Sequence, residues 1–186
     1  MKKLIKYIIY LLILLILGYN SVYFKKLSDI NNLSTKKFNA TLFSTILWEE
    51  KMPHKMDSSV NFSQLKKAIN TNEADALKKY TNAIGIGNYR YALVKTKATV
   101  LSVYEDEVTI QLPGSDTATI ATEYIYGNAI RDASSLVAIS DFPNTSELNS
   151  ISEELNKIVR TSVLSSFKKM VKKGQSLNII AAVELN

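Results

Sequence analysis

The 186-residue chain contains no cysteine, one histidine, one tryptophan and three prolines. Without cysteine there is no disulfide, thiolate metal site, cysteine nucleophile or lipid-modified cysteine. The single His54 follows Pro53, and no carboxylate or nucleophile stands at a recognised spacing from it. No G-x-S-x-G elbow is present, so hydrolase chemistry is not expected. "GIGNYR", residues 85–90, lacks the third glycine of a dinucleotide fingerprint and precedes a strand instead of a helix. No clustered metal ligands and no cofactor motif occur, so neither metal nor cofactor is expected. Charge of one sign is also scarce. There are 23 basic and 17 acidic side chains, a net charge of +6. Lys2, Lys3 and Lys6 sit at the extreme N-terminus, leaving 20 basic against 17 acidic residues, or +3, on everything beyond residue 24. That excess is too small to imply a nucleic-acid partner. Tyr89, Tyr91 and Tyr104, with Lys95 and Lys97 on the same predicted strand, read better as cross-strand packing than as a stacking platform.

What the sequence does have is a long hydrophobic run. In "MKKLIKYIIYLLILLILGYNSVYFKK", nine of the ten residues from Ile8 to Leu17 are Ile or Leu. At the insertion energy of such residues the block favours the bilayer by about 3 to 5 kcal/mol, and Lys6 can snorkel to the headgroups. Tyr7 to Phe24 would make about 27 Å of helix, close to bilayer thickness, with Tyr19 and Tyr23 at the interface. No small-residue cleavage pattern follows. An uncleaved signal anchor over residues 1–24 is therefore expected, with a cleaved signal peptide and a soluble core helix as alternatives. Lys25 and Lys26 blunt the positive-inside asymmetry, but the N-terminal basic cluster and the long following domain favour N-terminus in and domain out. The Asn-x-Ser/Thr matches at Asn32, Asn39, Asn61 and Asn144 would be glycosylation acceptors on a eukaryotic secretory route and would mean nothing in a bacterial envelope, which is the reading preferred.

With 46% hydrophobic and 22% charged residues, the rest reads as one ordinary folded unit, residues 25–186. Residues 25–85 read as helical. Over 34–52, Phe38, Leu42, Phe43, Ile46 and Leu47 share one face, with Ser34 as cap and Pro53 as stop. Shorter helices are predicted over 61–70 and 72–83. From residue 86 the period switches to two: strands are predicted over 89–104, through "EVTIQLPG" with its turn at Pro113 and Gly114, and over 117–126. Val108, Ile110 and Leu112 should face the core. Asn144 caps a long helix with Glu147 as its capping-box partner. Its predicted stripe is Leu148, Ile151, Leu155, Ile158, Val159, Val163, Phe167 and Met170, with lysines near its C-terminus and Gly174 as stop. "SLNIIAAVEL", 176–185, closes the chain as a strand. The fold class predicted is α+β: a membrane-anchor helix and short helices, then a small OB-like antiparallel β-barrel with a long helix before the last strand.

The candidate site residues lie in "YGNAIRDASSLVAISDFPN", 126–144. Arg131 and Asp132 are adjacent among apolar neighbours. Sequence neighbours point apart in strands and do not face each other on helices, so each charge is expected to find a different partner. Arg131 is expected to reach Asp141 or a row of carbonyls, and Asp132 the N–H groups of its own turn, making a structural clasp. A ligand-facing role for Arg131, Asp132, Asp141 and Asn144 is the alternative, since guanidinium suits carboxylates and hydroxyl-rich ligands.

This stretch resembles the Gly-x-Ala-Ile-Arg-Asp-Ala and Asp-Phe-x-Asn pattern of predicted periplasmic lipoproteins grouped as domain of unknown function 2291 (DUF2291). "LWEEKMP" upstream and "KKGQSLNIIAAVELN" at the end agree in order and spacing, so the resemblance spans residues 20–186. It implies a bacterial envelope location, an OB-like core and, through members encoded near sugar ABC transporters, a link to sugar transport. This chain departs from the family pattern in lacking the lipobox cysteine, in Ser134 and Ser135 where bulkier residues or proline are usual, and in Lys97 near a usual glycine. One more strand after the segment matching Ala182 to Asn186 is implied by the resemblance and is not in this sequence, which predicts either an open barrel edge or a truncated form of the chain. The expectation is a non-enzymatic module, anchored in the inner membrane with its domain on the periplasmic or extracellular side. Its expected partners are the membrane, through the N-terminal helix, and a small polar ligand or a sugar-transporter component. A purely structural envelope protein and an enzyme using Arg131, Asp132 and Asp141 are the alternatives.

Overall fold

The computed structural model describes Lys6, Tyr7, Tyr10, residues 38–84 and residues 89–185. The anchor expected over residues 1–24 lies outside the described residues except at Lys6, Tyr7 and Tyr10, as does the expected cap Ser34. Among the described residues no helix is long and apolar enough to cross a membrane. Asn39–Asn186 forms one unit.

Helix α1 (Ala40–Ile46) begins where the Asn39 side chain accepts the Leu42 N–H at 2.9 Å. It continues through a π-helical turn, Leu47–Lys51, into α2 (Met52–Asp57). The expected stop at Pro53 is therefore wrong. A proline in the first turn of a new helical segment removes an N–H that needs no intrahelical acceptor. The wider π turn, in which the Met52 N–H bonds Leu47 O, lets the chain run through. The predicted stripe of α1 is also too wide. Ser44 and Leu47 are buried, whereas Leu42 is 58% and Ile46 42% exposed, because α6 covers only one side of this helix. Helices α3 (Phe62–Thr71) and α4 (Glu73–Tyr80) start on Asn61 and Asn72, whose side chains accept the Ser63 and Asp75 N–H groups.

Strand β1 (Val60–Asn61) runs parallel to the centre of β2 (Arg90–Val103), which then pairs antiparallel with β3 (Glu107–Gln111). β3 pairs in turn with β4 (Thr117–Ala121), so the predicted meander is present. Its tight connection places Gly114 at φ +86°, a conformation glycine adopts without steric cost. As expected, Val108, Ile110 and Leu112 are buried, together with Ala98, Val100 and Val171. The other edge of β2 pairs along ten residues with β5 (Ser176–Leu185), from Arg90 opposite Leu185 to Thr99 opposite Ser176. A second cluster, Leu65, Ala92 and Val94, fills the space under α3. The sheet is open: among the described residues no pairing joins β4 to β5 or β1.

β4 ends five residues before the predicted strand does. Thr122 N–H still bonds Asp106 O, but the following carbonyls turn away to a helix, as described below. Residues Ala129–Ser134 form α5, a 3₁₀ turn covers Ile139–Asp141, and the long helix runs as α6 (Thr145–Ile158), a π turn (Val159–Leu164) and α7 (Ser165–Met170). Asn144 caps α6 as predicted, accepting the Glu147 N–H at 3.0 Å. Leu148, Ile151, Leu155 and Val159 are buried, but Val163 is 43% and Met170 64% exposed. Leu164 and Val171 are buried instead. The π turn inserts one residue into the 3.6 period, so Leu164 and Val171 take the places predicted for Val163 and Met170, while Phe167 still packs against the cluster around Val100 and Val171.

Candidate functional site

The adjacent charges of Arg131 and Asp132 are satisfied differently from expectation. Arg131 Nε donates to Asp132 Oδ1 at 2.7 Å, with both side chains under 5% exposed. The pair does neutralise itself. The argument from backbone direction fails because a guanidinium on three methylenes can fold back along a short helix to its neighbour's carboxylate. Arg131 Nη1 also donates to Leu148 O at 3.2 Å, so the expected reach to Asp141 is replaced by a carbonyl of α6. Asp141 is exposed on the 3₁₀ turn, where its Oδ2 accepts the Ala138 N–H at 2.8 Å. Asn144 is used as the cap of α6. These four residues thus divide into a buried pair and two exposed turn and cap residues, and do not converge on one cleft.

The carbonyl that Arg131 holds belongs to a longer seam. Leu148, Ser152, Asn156 and Arg160 recur every four residues and therefore lie along one face of the long helix. The chain from 125 to 131 runs against them in the opposite direction. Arg131 bonds Leu148 O, Ser152 Oγ donates to Asn128 Oδ1 at 3.1 Å, Asn156 Nδ2 donates to Gly127 O at 3.0 Å, and Arg160 Nη1 donates to Ile125 O at 2.6 Å. Backbone that left the β ladder after Ala121 finds its partners here, as buried carbonyls must. Gly127, at φ +76°, makes the turn that aims two carbonyls at one helix. Asp132 is tied in as well: its carbonyl accepts Asn82 Nδ2 at 2.9 Å, and its N–H donates to Asn128 O. Asp132 also faces Tyr91, whose phenol is held above its ordinary pKa first by burial, then by its hydrogen bond to Glu184, with the negative charges of Glu184 and Asp132 adding to both.

At the Arg160 end the seam opens into a cavity of about 360 Å³. Asn128, Ser152 and Asn156 form its floor, with their polar atoms in the seam. Tyr126, Asn149, Glu153 and Arg160 stand around it. Tyr126 is 74% exposed and lies 5.9 Å from the Arg160 guanidinium, a cation–π distance. The side chains of Asn149 and Glu153 are exposed and make no hydrogen bond to other described residues, and one guanidinium N–H of Arg160 is committed to Ile125. The cavity therefore offers a flat aromatic face, a cation, an anion and an amide, the groups that hold hydroxyl-bearing ligands. Arg160 is the second residue of the π turn, and π turns are frequent where a helix is locally reshaped around a site. The seam residues were missed in the sequence because polar side chains at a spacing of four look like a solvated face. Their mark was the apolar stripe beside them, which a solvated face would not need to flank so closely. Among the described residues no group of three His, Asp or Glu could hold a metal ion.

The sheet with its long helix before the last strand defines an α+β protein of OB type. An OB-fold protein from Thermotoga maritima, solved by crystallography, superposes with a TM-score of 0.67 over 80% of this chain and 88% of its own, at 22% identity. The chain belongs to the DUF2291 family of predicted periplasmic lipoproteins, whose model matches residues 12–186. That description is consistent with a cell-envelope location. No curated protein matches the chain.

Proposed function

We propose that this protein is a non-enzymatic envelope module that binds a small hydroxyl-rich ligand, such as a sugar, in the cavity between residues 126–128 and the long helix. The observation that carries this reading is the set of uncommitted groups on Tyr126, Asn149, Glu153 and Arg160 around a volume of about 360 Å³, within the range of small-ligand sites. The absence of reaction chemistry is supported by the Arg131–Asp132 pair, whose charges are consumed by each other and by the seam. Attachment to the inner membrane through residues 1–24, domain outward, rests on the hydrophobic run, and accessory action in sugar transport rests on the family resemblance. The chain has no cysteine to carry a lipid.

The decisive measurement is a thermal-shift and calorimetric screen of the full chain in detergent against mono- and disaccharides. A binder should raise the melting temperature, and Arg160→Ala and Tyr126→Ala should each remove the shift. A panel with no binder, or binding untouched by both substitutions, sinks the reading. An alkaline phosphatase reporter fused at the C-terminus tests the anchor: activity in living cells is expected, and an inactive reporter refutes the topology.

A further inference from the structure

Among the described residues, no strand pairs with the edge of β5 that faces away from β2. Val100 donates its N–H to Gln175 O and accepts Gly174 N–H, so even-numbered residues of β2 bond toward β5. By the alternation of an antiparallel ladder, odd-numbered residues of β5 return those bonds. Ser176, Asn178, Ile180, Ala182 and Glu184 therefore turn their N–H and C=O groups outward, and no described strand receives them. Natural edges are blunted by lysine, proline, a bulge or short length. β5 has none of these: it runs ten residues in unbroken register, and its single charge is Glu184. The short β4 edge contrasts with it, lying between the Lys66–Asp116 and Lys168–Glu123 ion pairs. Burial also falls abruptly at this edge. Ala92, Val94 and Ala98 on β2 are at most 3% exposed, but none of the core-facing residues opposite them on β5, Val183, Ala181 and Leu177, is buried. Ile180 is 44% exposed on the other face.

We infer that β5 pairs with β5 of a second copy of this chain, antiparallel about a two-fold axis at Ile180. That register is self-complementary. Ile180 meets Ile180, Asn178 meets Ala182, Ser176 meets Glu184, and on the core side Leu177 meets Val183. No like charges oppose each other, because Glu184, the single charge of the strand, meets Ser176.

Because the chain lacks cysteine, Ile180→Cys is a clean probe. A hydrogen-bonded antiparallel pair sets its Cα atoms about 5.5 Å apart, within disulfide range. Oxidation of the full-length variant in detergent should give a covalent dimer, and Tyr104→Cys, exposed but far along the chain from β5, should not. Light scattering of the unmodified protein should give twice the chain mass of 20.8 kDa after subtraction of detergent. Ala182→Pro removes only an outward N–H and should give monomers with an unchanged melt; Ile180→Lys, which places like charges on the axis, should do the same if the proline variant fails to fold. A monomeric parent, no cross-link at position 180, or a dimer that persists in both variants overturns the inference.

Discussion

Two arginines mark the two ends of one helical face, and they live in opposite circumstances. Arg131 is buried with its own counter-ion and a helix carbonyl, so its charge is spent on structure. Arg160 gives one N–H to the loop, leans on an exposed tyrosine and keeps the rest of its guanidinium at a cavity. The same residue type serves as a clasp at one end of the seam, at Leu148, and as ligand-ready surface at the other, twelve helix residues on. What separates them is the ion pair, which Arg131 has and Arg160 lacks among the described residues. Asp132 is sealed in with Arg131, whereas Glu153, on the wall of the same cavity as Arg160, stays exposed and forms no ion pair with it.

The comparison breaks most easily at the buried end. Arg131→Ala leaves Asp132 with no counter-ion in a buried site and should destabilise the fold by about 3 to 5 kcal/mol, read by urea denaturation. The double variant Arg131→Met with Asp132→Leu should recover part of that loss, since no unpaired charge remains; a double variant as unstable as the single one would contradict the pairing. Next in size is the helix that carries the seam. Leu164→Ala should cost about 2 to 5 kcal/mol and Val163→Ala under about 1, a contrast that vanishes if the π turn is absent. At the open end, Tyr126→Ala should move stability by no more than about 0.5 kcal/mol while removing the ligand-induced melting shift.

The smallest effects are those of pH. Glu123 is held below its ordinary value of 4.5 by the Lys168 ammonium that donates to it, so its contribution is present above that value and is lost as pH falls through the folded one. Glu123→Gln should flatten the acid limb of a melting-temperature profile and leave the neutral region alone. Tyr91, raised above 10.0, behaves oppositely: its contribution is complete below that value and is lost as pH rises through the folded one. Tyr91→Phe should flatten the alkaline limb.

Much of the framework was legible before any coordinates. The Asn144 cap, the alternation of Val108, Ile110 and Leu112, and the turn at Pro113 and Gly114 each depend on residues within a few positions of one another. The failures share a cause. Nothing in residues 155–165 taken alone signals a π turn, so Val163 was expected where Leu164 is buried. Nothing local tells Ser152 and Asn156 from surface residues, because their partners, Asn128 and Gly127, lie more than twenty positions away.

By itself, then, the amino-acid order determined the hydrophobic leader, the switch from helical to strand periodicity, the helix caps and family membership, because propensity, capping and patterning act over one or two turns of chain. Only the tertiary structure decided that Arg131 turns to its own neighbour, that a loop zips against the long helix and that no described strand pairs with the outer edge of β5. Those outcomes depend on which buried polar groups and strand edges remain unmatched once distant segments meet, and that balance is settled only when the chain packs.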